Sequence, residues 1–290
     1  MSQPKVLVQL DADEQASVFD AVVAVDADVD HLLQYRGVCP PQVRDLVHGA
    51  MFTRGPVELR HTAIFVGGAN VAAGEALLEE VRRCFFGPFR VSVMLDANGA
   101  NTTAAAAVLA AARHTDLTQA TCLVLAGTGP VGQRVARLLA RRGARVRVAS
   151  RSIQRAAEVC QTLANRIADA RLEPIVVASS AEAAAALAGA HVVISAGAAG
   201  VTLLTADGRR STDSLQVAVD LNAVPPLGIE GIEVTDRATT RDGQTCYGAI
   251  GVGGTKMKIH KAAIRRLFEA NDQVLDAEEI FALGEQLERG

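Results

Sequence analysis

The sequence predicts an α/β protein built on parallel β-sheets, and three observations lead to that fold class. Short apolar runs alternate with amphipathic helical stretches along most of the 290 residues. Apolar residues make up 49% of the chain but aromatic residues only 3%, so its core must consist mainly of Ala, Val and Leu. Finally, the glycines of Gly127-x-Gly129-x-x-Gly132 separate an apolar run from a helical pattern. This length allows two medium-sized domains.

The first part of the chain shows strands and helices whose ends are marked by chain-breaking residues. Gly67 and Gly68 end one strand, and Gly87 with Pro88 ends one helix. The predicted elements are a strand at 5–9, a helix at 16–25, a strand at 62–66, a helix at 72–85, a strand at 91–95, a polar turn at 96–99 and an Ala-rich helix at 102–114.

The remaining chain repeats this alternation. Asp276 and Glu279 have the spacing of a capping box for the last helix. The predicted elements are strands at 121–126, 145–149, 175–178, 191–195 and 215–219, with helices at 131–142, 153–168, 181–188, 256–270 and 276–286. We assign residues 1–100 plus 268–290 to one α/β domain and 101–267 to another. The helix at 102–114 should bridge them, with a cleft between the domains.

The glycine turn indicates dinucleotide binding. The strand before it and the helix after it supply the context that this motif requires, so the domain 101–267 is predicted to be a Rossmann-type, doubly wound parallel sheet. We expect Gly127 to make the tight turn, Gly129 to let the backbone approach a pyrophosphate and Gly132 to let the helix pack on the strand. The predicted cofactor-binding residues of this turn are Gly127, Thr128, Gly129, Pro130, Val131 and Gly132.

The residues after the second strand of this domain favour NADP without excluding NAD. An NAD site usually has a carboxylate there, but this chain has Ser150-Arg151-Ser152 followed by Arg155. Hydroxyl and guanidinium groups suit a 2′-phosphate. The alternative is a pair of solvent-exposed arginines at a helix start. Further cofactor contacts are predicted at Ala196, Gly197, Ala198 and Asn222.

Composition and charge exclude several function classes. The net charge of −3 argues against nucleic acid or an anionic membrane as the main partner. The N-terminus does not resemble a signal peptide and no apolar run is long enough to span a membrane, so we expect a cytoplasmic protein. Five scattered cysteines and six scattered histidines form no metal-ligand spacing, and no GxSxG motif indicates a hydrolase. The predicted reaction is therefore hydride transfer, and no metal is expected.

Three segments carry polar groups suited to that reaction. Asp20 lies within an apolar helical stretch, where the alternative is a solvent-facing carboxylate. The segment 96–103, which contains Thr102, follows a strand, where open α/β sheets bind ligands, and helix capping is compatible with that role. The segment 248–256 reads as a glycine-rich loop that places Lys256 at a helix start, an unfavourable position for a cation; a solvated lysine is the alternative.

The stretches SVFDAVVAVDADVDH, TAIFVGG, FFGPFRVSVMLDANGANTTAAA, LVLAGTGPVG, LNAVPPLGIEGI and GAIGVGGTKMKIHKA give the chain a more specific resemblance. It resembles the NAD(P)-dependent methylene-tetrahydromethanopterin dehydrogenases of one-carbon metabolism, which include members that also accept methylene-tetrahydrofolate. The resemblance extends over nearly the whole chain, and NTTAAA and GGTKMKIH are its most specific parts.

This resemblance implies an enzyme that oxidises a methylene carrier to the methenyl form by direct hydride transfer to NADP or NAD, without metal or flavin. Residues 1–100 and 268–290 would form the pterin domain. The resemblance implies catalytic roles for Lys256, which would orient or tune the pterin, for Asp20, which would hold the pterin ring, and for Thr102, which would line the domain junction. Because the product carbon is cationic, we expect Lys256 to be neutral in the complex or directed at a polar edge of the pterin. Ser150 and Ser152 depart from the Gly-Arg-Lys form of NADP-preferring members.

Three alternatives stay open. The carrier could be methylene-tetrahydrofolate, because carrier choice depends on pocket walls. A non-catalytic NADP-sensing protein would keep the glycine turn but would not need Lys256. A third alternative is an NADP dehydrogenase of a small carbonyl substrate such as shikimate. Ala-rich helices and modest charge are compatible with self-association, and we expect a homo-oligomer.

Overall fold

The structure, a computed structural model, describes residues 3–289. In chain order its strands are β1 (Val6–Asp11), β2 (His31–Tyr35), β3 (Thr62–Gly67), β4 (Ser92–Leu95), β5 (Thr121–Leu125), β6 (Arg145–Ser150), β7 (Arg171–Val176), β8 (Val192–Ser195), β9 (Val217–Asp220), β10 (Arg237–Arg241), β11 (Gln244–Tyr247) and β12 (Val274–Leu275). Its helices are α1 (Val18–Asp26), α2 (Pro40–Met51), α3 (Val71–Arg83), α4 (Ala100–Ala112), α5 (Pro130–Arg141), α6 (Ile153–Ala164), α7 (Ser180–Ala186), α8 (Ala206–Arg210), α9 (Ala249–Arg266) and α10 (Ala277–Arg289).

The chain forms two compact units. The first unit consists of Met1–Thr102 and Met257–Gly290, and the second unit consists of Thr103–Lys256. The sequence-based boundaries differ, because they assigned residues 101–102 and 257–267 to the second domain. Residues of α9 after Lys256 contact first-unit elements instead: Arg265, for example, donates from Nε to Asp28 Oδ2 at 2.8 Å.

The first unit contains a five-stranded parallel sheet in the order β2-β1-β3-β4-β12. Its central strands β3 and β4 are buried along their whole length, which is typical of parallel strands covered on both faces. The strand order reverses between β1 and β3. In open α/β sheets ligands bind beyond the carboxyl ends of the strands at such a reversal. This topology places a candidate site after Asp11 and Gly67.

The second unit contains a seven-stranded sheet in the order β7-β6-β5-β8-β9-β11-β10. All neighbours are parallel except the β10–β11 hairpin. Counted within this unit, the strand order is 3-2-1-4-5-7-6, and its first five positions, 3-2-1-4-5, follow the Rossmann order. The prediction of a doubly wound parallel sheet with a second α/β domain is therefore confirmed. Here the order reverses between β5 and β8.

Each predicted strand and helix has a counterpart, but several elements were missed. The edge strand β2 is exposed along most of its length, so it shows no apolar periodicity. The hairpin β10–β11 turns at Asp242 and Gly243, both with positive φ. An Asp-Gly pair is a sequence signal for such a two-residue turn. The strand predicted at 175–178 begins earlier, at Arg171. Helix α2, helix α8 and strand β12 were also missed.

Candidate functional site

The glycine turn joins β5 to α5 at the point where the strand order of the second unit reverses. A Cβ on Gly127 would lie 2.8 Å from Val148 Cγ1, and one on Gly132 would lie 2.6 Å from the Ala126 carbonyl oxygen. Both glycines are therefore required by packing within the protein. A Cβ on Gly129 would meet nothing closer than 3.5 Å. The fold itself tolerates a side chain there, so the absence of one leaves backbone open to a ligand.

Two residues fix the backbone of the turn. Ala126 has a positive φ of 53°. Gly127 donates its backbone N–H to the Ala149 carbonyl at 2.8 Å, which holds the turn against β6. The turn lies where the sequence predicted it, between β5 and α5.

The N-terminus of α5 is built to receive an anion. Gly129 is the N-cap and makes no side-chain cap bond, and Pro130 occupies the first helical position. The N–H groups of the first turn, which include those of Val131 and Gly132, have no acceptor within the helix and lie at the positive end of its dipole. Thr128 lies in the loop with its Oγ1 3.3 Å from Ser150 Oγ. These features fit a pyrophosphate.

The end of β6 carries hydroxyl and guanidinium groups. Ser150 is buried, and Ser152 caps α6 by accepting from the Arg155 backbone N–H at 3.4 Å. Arg151 and Arg155 are exposed, and within residues 3–289 neither guanidinium pairs with a carboxylate. This donor set fits a 2′-phosphate, and the chain has no acidic residue at 149–152 that would repel one.

The loop after β8 lies beside the glycine turn. The Ala196 carbonyl oxygen is 4.0 Å from the position that a Cβ on Gly129 would occupy. Gly197 packs against Leu203, where a Cβ would lie 2.7 Å from Cδ1 of that side chain, and Ala198 is exposed. Small residues at this reversal of strand order leave the strand ends accessible.

Asn222 organises a loop of the protein. Its side chain accepts from the Val224 backbone N–H at 2.9 Å and donates to the Pro226 carbonyl at 3.2 Å. The same loop is held by Asp220, which accepts from the backbone N–H groups of Asn222 and Ile229. Burial raises the pKa of Asp220. The predicted cofactor contact by Asn222 stays a prediction, and its observed bonds are to the loop.

In the first unit, Asp20 lies at the carboxyl ends of β1 and β3. Its Oδ2 is 3.4 Å from the position that a Cβ on Gly67 would occupy. Ser17, the N-cap of α1, accepts from the Asp20 backbone N–H at 3.2 Å and donates its own N–H to Asp11 Oδ2 at 3.0 Å. Burial raises the pKa of Asp20 above its ordinary value, while His260 and hydrogen bonding to Ser17 oppose that rise.

Thr102 holds a second carboxylate of the first unit, Asp96, in position. It is fully buried, and it donates from Oγ1 to Asp96 Oδ2 at 2.6 Å. The other carboxylate oxygen, Asp96 Oδ1, accepts from the backbone N–H groups of Asn101 and Thr102 at 2.9 and 3.0 Å. The predicted catalytic role of Thr102 at the domain junction stays a prediction, and the observed contact of its hydroxyl is with Asp96. Thr102 fixes the position of a carboxylate.

The position of Lys256 differs from the expected one. Residues 249–255 are the first turns of α9, so Lys256 lies within a helix and not at its start. The expected glycine-rich loop is helical from Ala249 onward. Two of its glycines serve close packing, since a Cβ on Gly248 would lie 2.0 Å from the Glu233 carbonyl oxygen and one on Gly251 1.8 Å from that of Asp236, whereas a Cβ on Gly253 or Gly254 would meet nothing within 4 Å. Lys256 is therefore not at the positive end of the helix dipole, contrary to the expectation. Lys256 itself is partly buried.

We call Asp11, Asp20, Asp96, Thr102 and His260 of the first unit the Asp20 cluster. Sequence reasoning missed two of its members, Asp11 and His260. Asp11 ends β1 as a buried carboxylate, a placement that the rule for strand ends would have indicated. His260 lies four residues after Lys256 on α9 and is fully buried. The sequence carried one signal for His260: it follows Lys256 by four residues in the GGTKMKIH motif, a spacing that places two side chains on the same face of a helix.

Two further classes of site were sought. Across residues 3–289, no cluster of three or more His, Cys, Asp or Glu side chains is placed to hold a metal ion. No helix in that range combines the length and apolar character needed to cross a membrane.

Comparisons with known proteins agree with this division of the chain. A family model described as "Methylene-tetrahydromethanopterin dehydrogenase, N-terminal" matches residues 18–98, and one described as "Shikimate / quinate 5-dehydrogenase" matches residues 108–233. The shikimate 5-dehydrogenase of Listeria monocytogenes, solved with shikimate and NAD, aligns with a TM-score of 0.55 at 12% identity, over 98% of this chain and 96% of that one. That likeness shows the fold.

Two proteins of Methylorubrum extorquens are similar over almost the whole chain. One, named "Bifunctional protein MdtA", is 44% identical over 98% of this chain and 99% of its own length. The other, named "NAD(P)-dependent methylenetetrahydromethanopterin dehydrogenase", is 32% identical over 93% of this chain and 94% of its own length. The chain therefore belongs to the NAD(P)-dependent methylenetetrahydromethanopterin dehydrogenase family.

Proposed function

We propose that this protein oxidises methylene-tetrahydromethanopterin to the methenyl form, with NADP as the hydride acceptor. The observation that carries the proposal is the similarity over almost the whole chain to a dehydrogenase named for this carrier. Similarity over the whole chain is what supports a particular substrate, because the glycine turn alone occurs in dehydrogenases that act on many different substrates.

The second unit supplies the cofactor site of this proposal. When bound, the nicotinamide cofactor provides the hydride acceptor. The protein's own contribution is to bind it: Gly129 and the α5 N-terminus would hold the pyrophosphate, while Ser150, Arg151 and Arg155 would hold the 2′-phosphate. The preference for NADP over NAD rests on these last three residues.

The first unit supplies the carboxylates that suit the carrier. Hydride loss leaves a carbon between two nitrogens as a cation, and no proton needs to be removed. A protein group that helps this step is therefore an anion near that carbon and not a general base. We assign this role to Asp20, a substrate-orienting role to Lys256, and the positioning of Asp96 to Thr102.

Methylene-tetrahydrofolate is the second candidate carrier, because the resemblance in sequence extends to members that accept it, and the relative at 44% identity is named as a bifunctional protein without a stated carrier. The match to the shikimate and quinate dehydrogenase model covers 108–233, outside the Asp20 cluster, so it supports the cofactor half alone. A non-catalytic NADP sensor stays the weakest alternative, since it would need neither Asp20 nor Lys256. The predicted homo-oligomer and cytoplasmic location stay predictions.

A matrix of turnover assays tests the proposal. Purified protein is mixed with NADP or NAD and with methylene-tetrahydromethanopterin, methylene-tetrahydrofolate or shikimate, and the absorbance of reduced nicotinamide and of the methenyl product is followed. We expect the highest kcat/KM with NADP and methylene-tetrahydromethanopterin. Turnover of shikimate alone, or NADP binding without turnover of any substrate, would contradict the proposal.

A further inference from the structure

A cavity in the first unit lies between helix α2 and one face of the sheet. Its volume is about 330 Å³, which falls within the range of small-molecule sites in proteins. Val6 and Val8 of β1 and Leu33 of β2 line it from the sheet, and Leu46 and Ala50 line it from α2. We call it the α2 cavity, and its walls are mainly apolar.

The α2 cavity and the Asp20 cluster lie on opposite faces of this sheet. Val8, which lines the cavity, pairs with Ile64 of β3, and paired residues of neighbouring strands point to the same face. Phe65 follows Ile64 and therefore points to the other face, where it stacks on His260 of the Asp20 cluster with 5.7 Å between ring centroids. The sheet therefore separates the cavity from the residues assigned to the carrier.

The cavity is elongated along the strands. It extends from Val6, the first residue of β1, to Tyr35, which pairs with Leu10 of that strand. The four-residue step from Val6 to Leu10 spans ~13 Å of extended chain. A volume of about 330 Å³ spread over that length admits a slender molecule rather than a globular one.

A guanidinium supplies positive charge at the amino end of the cavity. Arg54 lines it, and Nη2 of this side chain donates at 3.1 Å to the carbonyl of Pro4, which precedes β1. The other terminal nitrogen, Nη1, is shielded from water and has no hydrogen-bond partner among residues 3–289. Over the same residues no carboxylate pairs with Arg54. An unsatisfied guanidinium favours a carboxylate ligand, because the two groups form charge-assisted hydrogen bonds.

A negative charge stands further along the cavity. Asp45 of α2 lines it, is exposed to solvent and, within the described part of the chain, pairs with no cationic side chain. Asp45 lies ~9 Å along the helix axis from Met51, the last helical residue, and Arg54 follows beyond that residue. The two charges therefore direct an anionic group of a ligand to the Arg54 end.

Gly49 of α2 keeps the cavity open. Its φ is not positive, and the helix continues to Met51 with Phe52 as its C-cap, so the glycine does not serve to end the helix. A Cβ at this position would meet nothing of the described chain within 4 Å. Glycine destabilises a helix relative to alanine. Because neither the backbone nor the packing requires it, the missing side chain leaves space for a ligand, as at Gly129.

We propose that the α2 cavity binds a small monocarboxylate with a slender apolar body. Its carboxylate accepts from Arg54, and its body covers Leu33 and Tyr35, which are 46% and 41% exposed although both are large side chains of mainly apolar surface. Covering them removes apolar surface from water, which supplies the rest of the affinity. This second ligand site does not depend on the proposed function.

Isothermal titration calorimetry of the full-length protein with octanoate tests the proposal. We expect saturable binding of one octanoate per chain. Octan-1-ol, which has the same chain without a charge, should bind about tenfold more weakly or less, because it cannot form the charge-assisted contact with Arg54. Absence of saturable octanoate binding overturns the proposal.

Three variants place the bound octanoate. Gly49→Leu should abolish binding by filling the cavity, and its unfolding temperature should not fall, because a side chain there has room. Arg54→Gln should weaken binding by about tenfold or more. Arg60→Gln, the same change at an exposed arginine outside the cavity, should leave binding unchanged. Octanoate binding that all three variants retain lies elsewhere and overturns the proposal.

Asp45→Asn tests the charge of the ligand even if Arg54→Gln does not fold. Loss of the negative charge on α2 should strengthen octanoate binding by about twofold, since less repulsion acts on the carboxylate. Weaker binding of octanoate to Asp45→Asn would show that the cavity does not select an anion, and the proposal would fail.

Discussion

The two units place their functional groups in different ways. In the second unit the candidate site is largely backbone, contributed by one continuous turn between β5 and α5 and supported by the start of α6. In the first unit it consists of side chains from α1, α9 and the ends of β1 and β4. A backbone site tolerates changes of most neighbours, whereas a side-chain cluster depends on each member. Mutations in the glycine turn should therefore affect cofactor binding, whereas mutations in the side-chain cluster, or of Lys256 at the end of the second unit, should affect turnover.

The largest effect is expected from Lys256→Ala. If Lys256 orients the carrier, its loss should lower kcat by about 100-fold or more, while the Kd for NADP stays nearly unchanged because the glycine turn is intact. Steady-state kinetics and equilibrium titration with NADP measure the two quantities. Lys258→Ala, an exposed lysine two residues further along α9, is the matched control. Equal activity of Lys256→Ala and wild type would remove Lys256 from the site.

Asp20→Asn should separate activity from stability. Loss of the anion should lower kcat by about ten- to a hundredfold. The same change should raise the unfolding temperature near neutral pH, because burial raises the folded-state pKa of Asp20 above its ordinary value of 3.8, and an ionised carboxyl then destabilises the fold.

The stability difference between Asp20→Asn and the wild-type protein should depend on pH. Below 3.8 the carboxyl is protonated in both folded and unfolded chains, so the advantage of Asn should vanish there; it should grow as pH rises through the folded-state pKa. Thermal unfolding of both proteins across pH measures it. A destabilised Asp20→Asn at neutral pH would identify Asp20 as a structural anchor.

Arg151→Ala tests cofactor choice in the second unit. The KM for NADP should rise by about tenfold through loss of a charge-assisted contact to the 2′-phosphate, while the KM for NAD should not change. Arg166→Ala, an exposed arginine after the end of α6, serves as control. An equal rise for both cofactors would place Arg151 away from the 2′-phosphate.

The smallest functional effect is expected from a pair of glycine variants. Gly132→Ala should destabilise the protein by about 1–3 kcal/mol, since its Cβ overlaps the Ala126 carbonyl. Gly129→Ala should keep the unfolding temperature but weaken NADP binding by about fivefold, because only the ligand needs that space. Thermal unfolding and NADP titration separate the two. If both variants lose stability equally, Gly129 serves packing and not the cofactor.

The same contrast explains what was predictable. The glycine turn, the residues after β6 and the alternation of strands and helices are local patterns, so the sequence located them and the Rossmann class. His260, Asp11 and Asp96 form a cluster only after distant segments come together, and periodicity does not report such contacts. The edge strand β2 was missed because it is exposed, and Lys256 was misplaced because glycines that allow close helix packing resemble those of a loop.

The central claim is that hydride passes directly from the methylene carbon of the carrier to NADP. Methylene-tetrahydromethanopterin deuterated at that carbon tests it most directly, with the reduced cofactor isolated after a single turnover and examined by NMR and mass spectrometry. The proposed function predicts one deuterium at the nicotinamide ring, on one face, and none in the solvent. Deuterium that appears in water, or NADP that stays oxidised while the carrier is consumed, would contradict it.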